Sequence, residues 1–242
     1  MKFIILSDSR SGTTTIRETI KQHPKVNVLG EVFHNNRHKY IGKELTNEEY
    51  CDLFFKNYHN WDLLNKSFGF NNPEAWDKII NSTDLSNKIQ KSINKNQNYD
   101  YALGLTLFKG GLKKPQDLSF LKKHDLKFIF IERKDKRAAA ISREVAAQTR
   151  IFHDFQKGDN EEPFKIKINE ERLKNQIKRR EDDHQCCIDF LRYSRVNYIH
   201  LIFEDNLFSS DNISKIFNFL EVEDISVKLK GEQLNLKYEL IL

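Results

Sequence analysis

The chain has 242 residues, 38% hydrophobic and 31% charged, a composition that fits one compact globular domain, with room for a modest insertion. Its formal net charge of +5 favours an anionic partner only weakly, and its basic residues are spread along the chain without a nucleic-acid footprint. Three cysteines, two of them adjacent at Cys186 and Cys187 and none in a CxxC pair, cannot form a closed disulfide set, a zinc ribbon or a thioredoxin motif.

Taken in chain order, Phe3–Leu6 is a short apolar run that predicts a buried strand. It is too short for a signal-peptide core, and no stretch approaches the ~20 apolar residues of a membrane span, so the expected location is the cytoplasm. A turn-rich segment, SDSRSG, leads into a helix through Ile16 and Ile20 that ends before Pro24. Val26–Leu29 predicts a second strand, followed by Gly30 and Glu31. From about 35 to 98 the chain turns polar and helix-favouring, which predicts a helical insertion on the sheet of a single domain. Within it, Thr46 and Glu49 form a capping box ahead of Tyr50, Leu53 and Phe54. Asn72-Pro73 opens a further helix carrying Trp76, Ile79 and Ile80.

Strands resume at Tyr101–Phe108 and Leu126–Ile131, separated by a predicted helix over Pro115–Lys123. An alanine-rich helix follows from Asp135 to Thr149. Lys165–Ile168 is a candidate strand, and Asn169 caps a long charged helix reaching Tyr193. Tyr198–Phe203 predicts another strand and Asp211–Leu220 a closing helix. Strands alternating with helices predict an α/β fold of three layers around a mostly parallel central sheet.

The chemistry concentrates in Ser7-Asp8-Ser9-Arg10-Ser11-Gly12-Thr13-Thr14. A strand ending in a small-residue loop that enters a helix gathers backbone N–H groups at the positive end of the helix dipole, where phosphate or sulfate binds. Ser11, Thr13 and Thr14 add hydroxyls, Gly12 permits close backbone approach, and Arg10 adds a permanent charge with a fork of donors. On the loop alone two readings stand: an anion cradle, or an ordinary helix cap of Ser and Thr. It is not a nucleoside-triphosphatase loop, because Thr13 follows Gly12 where GK[ST] is required.

A second basic position comes at the end of the Leu126–Ile131 strand, in FIFIERKDKRAAAISREVA. Arg133 closes the strand and Ser142 follows nine residues later on the helix. One can fork onto two phosphate oxygens while the other donates a hydroxyl bond.

RSGTT after a strand, with His23-Pro24 and Leu29-Gly30-Glu31 beyond it, resembles the 5'-phosphosulfate loop of bacterial, carbohydrate-type sulfotransferases. Arg133 with Ser142 resembles that family's clamp on the 3'-phosphate, and Phe203-Glu204-Asp205 with Phe219-Leu220-Glu221-Val222 resembles a late structural segment. The resemblance covers about residues 1 to 34 and 126 to 225. It implies a P-loop-like fold and a sulfuryl transfer from 3'-phosphoadenosine 5'-phosphosulfate (PAPS) to an acceptor hydroxyl, leaving PAP, with no metal. Arg10, Ser11, Gly12, Thr13 and Thr14 would hold the phosphosulfate, and Arg133 with Ser142 the 3'-phosphate. It also implies a glycan or glycolipid acceptor, although a small alcohol or phenol stays open.

Arg10 suits stabilisation of charge on the bridging oxygen. For the base, Glu31 is the first candidate and His34 its rival; a salt-bridged structural role for Glu31 is the alternative. Phe33, Trp61, Phe68 and Trp76 are candidate pocket walls. Lys228 or Lys230 is a further candidate for the 3'-phosphate, while Glu181-Asp182-Asp183 with His184 is expected to be a solvated face. Two competing functions remain, a P-loop kinase or nucleoside triphosphatase and a non-catalytic nucleotide-binding module.

Overall fold

Side chains alternate across a strand, so the first apolar run sends Phe3 and Ile5 to one face and Ile4 and Leu6 to the other. All four are fully buried, as a strand covered on both sides requires. This is β1 (Lys2–Ser7). The computed structural model describes residues 1–31, 46–56, 102–108, 118–149, 151, 163–229 and 238–241.

β1 lies at the centre of a five-stranded sheet with β2 (Val26–Glu31), β3 (Ala102–Phe108), β4 (Lys127–Glu132) and β6 (Tyr198–Ile202), in the order β2-β3-β1-β4-β6. Its pairs are all parallel. Register aligns Ile4 with Phe128 and Leu6 with Phe130 on one face, and Ile5 with Ile129 on the other.

Phe3, Ile5, Ile129 and Ile131 pack against Ile16 and Ile20 of α1 (Thr13–Ile20) and Ile213, Ile216 and Phe217 of α5 (Ser210–Phe219). On the opposite face, Phe128 meets Phe190 of the long helix α4 (Glu170–Tyr193) edge-on, with ring centroids 5.4 Å apart. Full burial of such side chains contributes roughly 1.5–3 kcal/mol each. Helix, sheet and helix thus make the three expected layers, in an α/β fold.

The remaining elements frame this core. α3 (Lys136–Thr149) packs on α4 through Ala140, Val145 and Leu173. α4 starts where Asn169 Oδ1 accepts the Arg172 N–H at 2.8 Å, as its predicted cap requires. α2 (Asn47–Lys56) begins with the predicted capping box: Glu49 N–H donates to Thr46 Oγ1 at 3.2 Å and Thr46 N–H to Glu49 Oε2 at 2.8 Å. The rest of the expected helical insertion, with Asn72-Pro73 and Trp76, lies outside the described residues.

Three expectations change. The helix read over Pro115–Lys123 is, among the described residues, a 3₁₀ turn (Ser119–His124) ended by the left-handed Asp125. The strand at Lys165–Ile168 stays out of the main sheet: β5 (Phe164–Lys167) pairs in parallel with β7 (Tyr238–Ile241), a strand the sequence reading did not include. Glu31, expected just after the second strand, is its last residue, next to a register shift between Leu29 and Glu31.

Candidate functional site

Because the main sheet is parallel, the loops after β1, β2, β4 and β6 leave from one edge. β1 has β3 on one side and β4 on the other, the kind of position where open α/β sheets take ligands.

The loop after β1 curls sharply. Arg10 and Gly12 both adopt left-handed backbone conformations, at φ 67° and φ 80°, on either side of Ser11. Curls of this kind turn successive N–H groups toward one concavity. Gly12 is itself the N-cap of α1, and it provides no side-chain cap. The ordinary Ser/Thr cap is therefore set aside, and the donors of the first helical turn face a position that no capping side chain occupies. Glycine is required here: a Cβ at Gly12 would come within 2.8 Å of the Phe208 ring and 3.1 Å of Leu207 Cδ2, besides the positive φ.

The two candidate anion sites meet around Arg10. Its Nε donates to Ser142 Oγ at 3.1 Å, and Arg133 Nη1 donates to the Arg10 carbonyl at 2.9 Å. The Arg133 guanidinium lies 4.6 Å from the centre of the Phe203 ring. Burial pulls its pKa below the ordinary arginine value, opposed by the carboxylates of Glu204 and Asp135. Two buried polar atoms at this place have no partner among the described residues, the Ser11 hydroxyl and Arg133 Nε. Unsatisfied buried polar groups cost about 1–3 kcal/mol each, so their presence suits a site that an anion completes.

Other side chains brace the clamp. Glu204 accepts the Lys134 and Asp135 N–H groups, both at 3.0 Å, tying the turn after β6 to the approach to α3. Burial works against its ionisation, but those two donors prevail and hold its carboxyl below the usual range. Lys136 Nζ donates to the Arg133 carbonyl at 2.6 Å and lies 3.8 Å from Glu132. Glu132 also contacts His200 at 3.0 Å and His184 at 3.4 Å. Burial and Lys136 lower the His184 pKa, against the pull of Glu132, and favour the neutral ring. Lys134 and Arg137, by contrast, are exposed.

Arg180 of α4 reaches the loop from the far side of the sheet, and the sequence reading missed it. Its Nη1 pairs with Asp8 Oδ2 and donates to the Ser9 carbonyl at 2.8 Å, while Nη2 donates to Ser9 Oγ at 3.2 Å. A signal was present. Leu173, Ile177, Arg180, His184, Cys187 and Leu191 recur at the three- and four-residue steps of one helical face, and Arg180 and His184 interrupt its apolar stripe. The run expected to be a solvated face is accordingly split: Glu181 and Asp182 are exposed, whereas Asp183 and His184 are half-buried against the sheet.

Of the remaining candidates, Glu31 closes β2, whose axis lies two strand spacings, roughly 10 Å, from that of β1. His34, Phe33, Trp61, Phe68, Trp76 and Lys230 lie outside the described residues. Lys228 is corrected. Its backbone pairs with the Gln22 side chain just past the C-terminal end of α1, remote from the loop at the other end. Among the described residues no cluster of three His, Cys, Asp or Glu is placed to hold a metal. No described helix is long and apolar enough to cross a membrane.

The sequence matches no family model and no curated protein. Its fold is similar to that of a sulfotransferase from Alicyclobacillus acidocaldarius, at 12% identity and a TM-score of 0.48, over 96% of this chain and 85% of that one. It is also similar to the sulfotransferase domain of the olefin synthase from Synechococcus PCC 7002, at 18% identity and a TM-score of 0.47, over 92% of this chain and 74% of that one.

Proposed function

We propose that the chain is a sulfotransferase, transferring a sulfuryl group from PAPS to the hydroxyl of a carbohydrate or glycolipid acceptor. What supports this most is the meeting of Arg10, Ser142 and Arg133, beside the unpartnered Ser11 hydroxyl and Arg133 Nε. A nucleotide with a 5'-phosphosulfate and a 3'-phosphate needs two anion holders in one cleft, and that is the chemistry these donors fit.

In this reading the loop N–H groups, Ser11, Thr13 and Thr14 hold the phosphosulfate, while Arg133 and Ser142 hold the 3'-phosphate. Ser142 Oγ accepts from Arg10 Nε, which leaves its hydroxyl proton to turn toward a phosphate oxygen. The acceptor oxygen attacks sulfur in line with the departing bridging oxygen. As the sulfur–oxygen bond to the phosphate breaks, Arg10 stabilises charge on PAP. The acceptor proton passes to Glu31, with His34 as the other candidate base.

Labelled PAPS and a panel of glycan and small-alcohol acceptors test the transfer, together with calorimetric titration of PAP without magnesium. The expected outcome is label in an acceptor, PAP binding lost on Arg133→Ala, and turnover lost on Glu31→Gln with PAP affinity kept. Magnesium-dependent ATP binding in place of PAP binding would overturn the reading in favour of a nucleoside triphosphatase. PAP binding with no acceptor labelled would leave a nucleotide-binding module. Full turnover in Glu31→Gln would remove Glu31 as base.

A further inference from the structure

We propose that Arg180, on α4, is a positioning residue that holds the loop after β1 in its anion-binding conformation by bracing the left-handed backbone of Arg10. Arg180 is 3% exposed, and its charge is compensated by pairing with Asp8. A buried guanidinium is costly to desolvate, so its place at the end of the loop calls for a structural reason.

Ser9 supplies that reason. Its N–H donates to Asp8 Oδ1 at 2.7 Å, its carbonyl accepts from Arg180 Nη1 at 2.8 Å, and its hydroxyl accepts from Arg180 Nη2 at 3.2 Å. The next carbonyl, that of Arg10, accepts from Arg133 Nη1 at 2.9 Å. The peptide groups on both sides of the Arg10 Cα are thus each held by an arginine, one from α4 and one from the end of β4.

Between them Arg10 sits at φ 67°, a conformation unfavourable for a residue with a Cβ. Such a conformation persists only where its surroundings over-determine it. Freed of Arg180, the Ser9 peptide can rotate and Arg10 can relax to negative φ. The concave run of N–H groups before α1 then opens. Arg180 acts through the loop and need not touch the ligand.

The role of the loop as the PAPS site rests on the function proposed above, so the test separates the two. Arg180→Gln removes the charge and the fork; Arg180→Lys keeps a charge beside Asp8 without the fork. Wild type and both variants are compared in PAP affinity, KM for PAPS, KM for acceptor, melting temperature and hydrogen exchange of the Ser9–Gly12 amides. Arg180→Gln is expected to weaken PAP about five- to thirtyfold, the equivalent of ~1–2 kcal/mol of left-handed strain at ~1.4 kcal/mol per decade. KM for PAPS should rise in parallel with KM for acceptor unchanged, and loop exchange should quicken. Arg180→Lys is expected to fall between, and it carries the test if the glutamine variant does not fold. Lower melting temperatures with PAP affinity and loop exchange both unchanged would overturn the proposal and leave Arg180 a purely structural residue. If wild type binds no PAP, the PAPS reading fails separately. The brace is then judged on exchange alone, and unaltered loop exchange in the variants refutes it.

Discussion

Replacing Gly12 with alanine puts one methyl group at the point where helix, loop and C-terminal aromatic residues converge. Two costs follow from the geometry. At φ 80° an alanine incurs the left-handed penalty of roughly 1–2 kcal/mol. The methyl would also lie 2.8 Å from Phe208 Cζ, 3.1 Å from Leu207 Cδ2 and 3.2 Å from Phe203 Cδ2, an overpacking worth ~1–3 kcal/mol. The Phe208 ring can pivot at its far end, so the lower part of that range applies, and the total is about 2–4 kcal/mol. Movement of Phe208 disturbs its edge-on contact with Phe203, whose ring carries the Arg133 guanidinium. Urea unfolding followed by circular dichroism should show the loss of stability, and PAP titration a weaker site. Gly104→Ala makes the control: its methyl would collide with the Phe3 ring across the β1–β3 pair, without a positive φ and away from the loop. It should lower stability yet leave the PAP affinity of folded protein intact. A Gly12→Ala protein within about 0.5 kcal/mol of wild type would refute the reasoning about the loop.

Two further substitutions probe the frame around the site. Glu204 has its carboxyl held below the ordinary value of 4.5, so its contribution to stability is complete above that pH and disappears as pH falls through the lower folded value. Glu204→Gln should thus be less stable than wild type at neutral pH, with the gap closing in acid; a gap that widens in acid contradicts the sign, and the effect should be small because the side chain is exposed. His23 is buried, accepts the Lys25 N–H on Nδ1 at 3.0 Å and so donates from Nε2 to the Glu223 carbonyl at 2.9 Å. His23→Leu leaves both backbone groups unpaired, for a loss of about 1–3 kcal/mol and faster proteolysis after Val222; unchanged proteolysis would show that the tail is held elsewhere.

The parts of this architecture that follow a short-range rule were legible in the sequence. Buried parallel strands such as Phe3–Leu6 and Leu126–Ile131 announce themselves as apolar runs, and the caps at Thr46 and Asn169 depend on residues three apart. The loop after β1 stood out as a small-residue run between a strand and a helix, whereas Arg133 was singled out by its resemblance to a family pattern. Arg180 was not, because its meaning comes from a partner 172 residues away. Within α4 it is one basic residue among many, and only its place in the apolar stripe marks it out. Lys228 shows the opposite error: a lysine near the C-terminus fits any phosphate on charge alone, whereas its location depends on where Gln22 anchors the backbone. β7 failed for a related reason, since a short exposed strand has no buried face to impose a pattern.

The bonds around Arg10 also bear on how this chain acquires a working site. Arg10 reaches Ser142 across 132 residues, Arg133 reaches Arg10 across 123, and Lys134 reaches Glu204 across 70. Parallel strands have no hairpin to nucleate on, so contacts of such separation must await closure of long loops. The cleft around Arg10 is thus among the last features to form, and any fragment ending before β4 would carry the RSGTT motif without Arg133 and Ser142 beside it. A bound PAP would stabilise only the finished sheet, which makes ligand-dependent protection of β4 and β6 a direct report on completed folding.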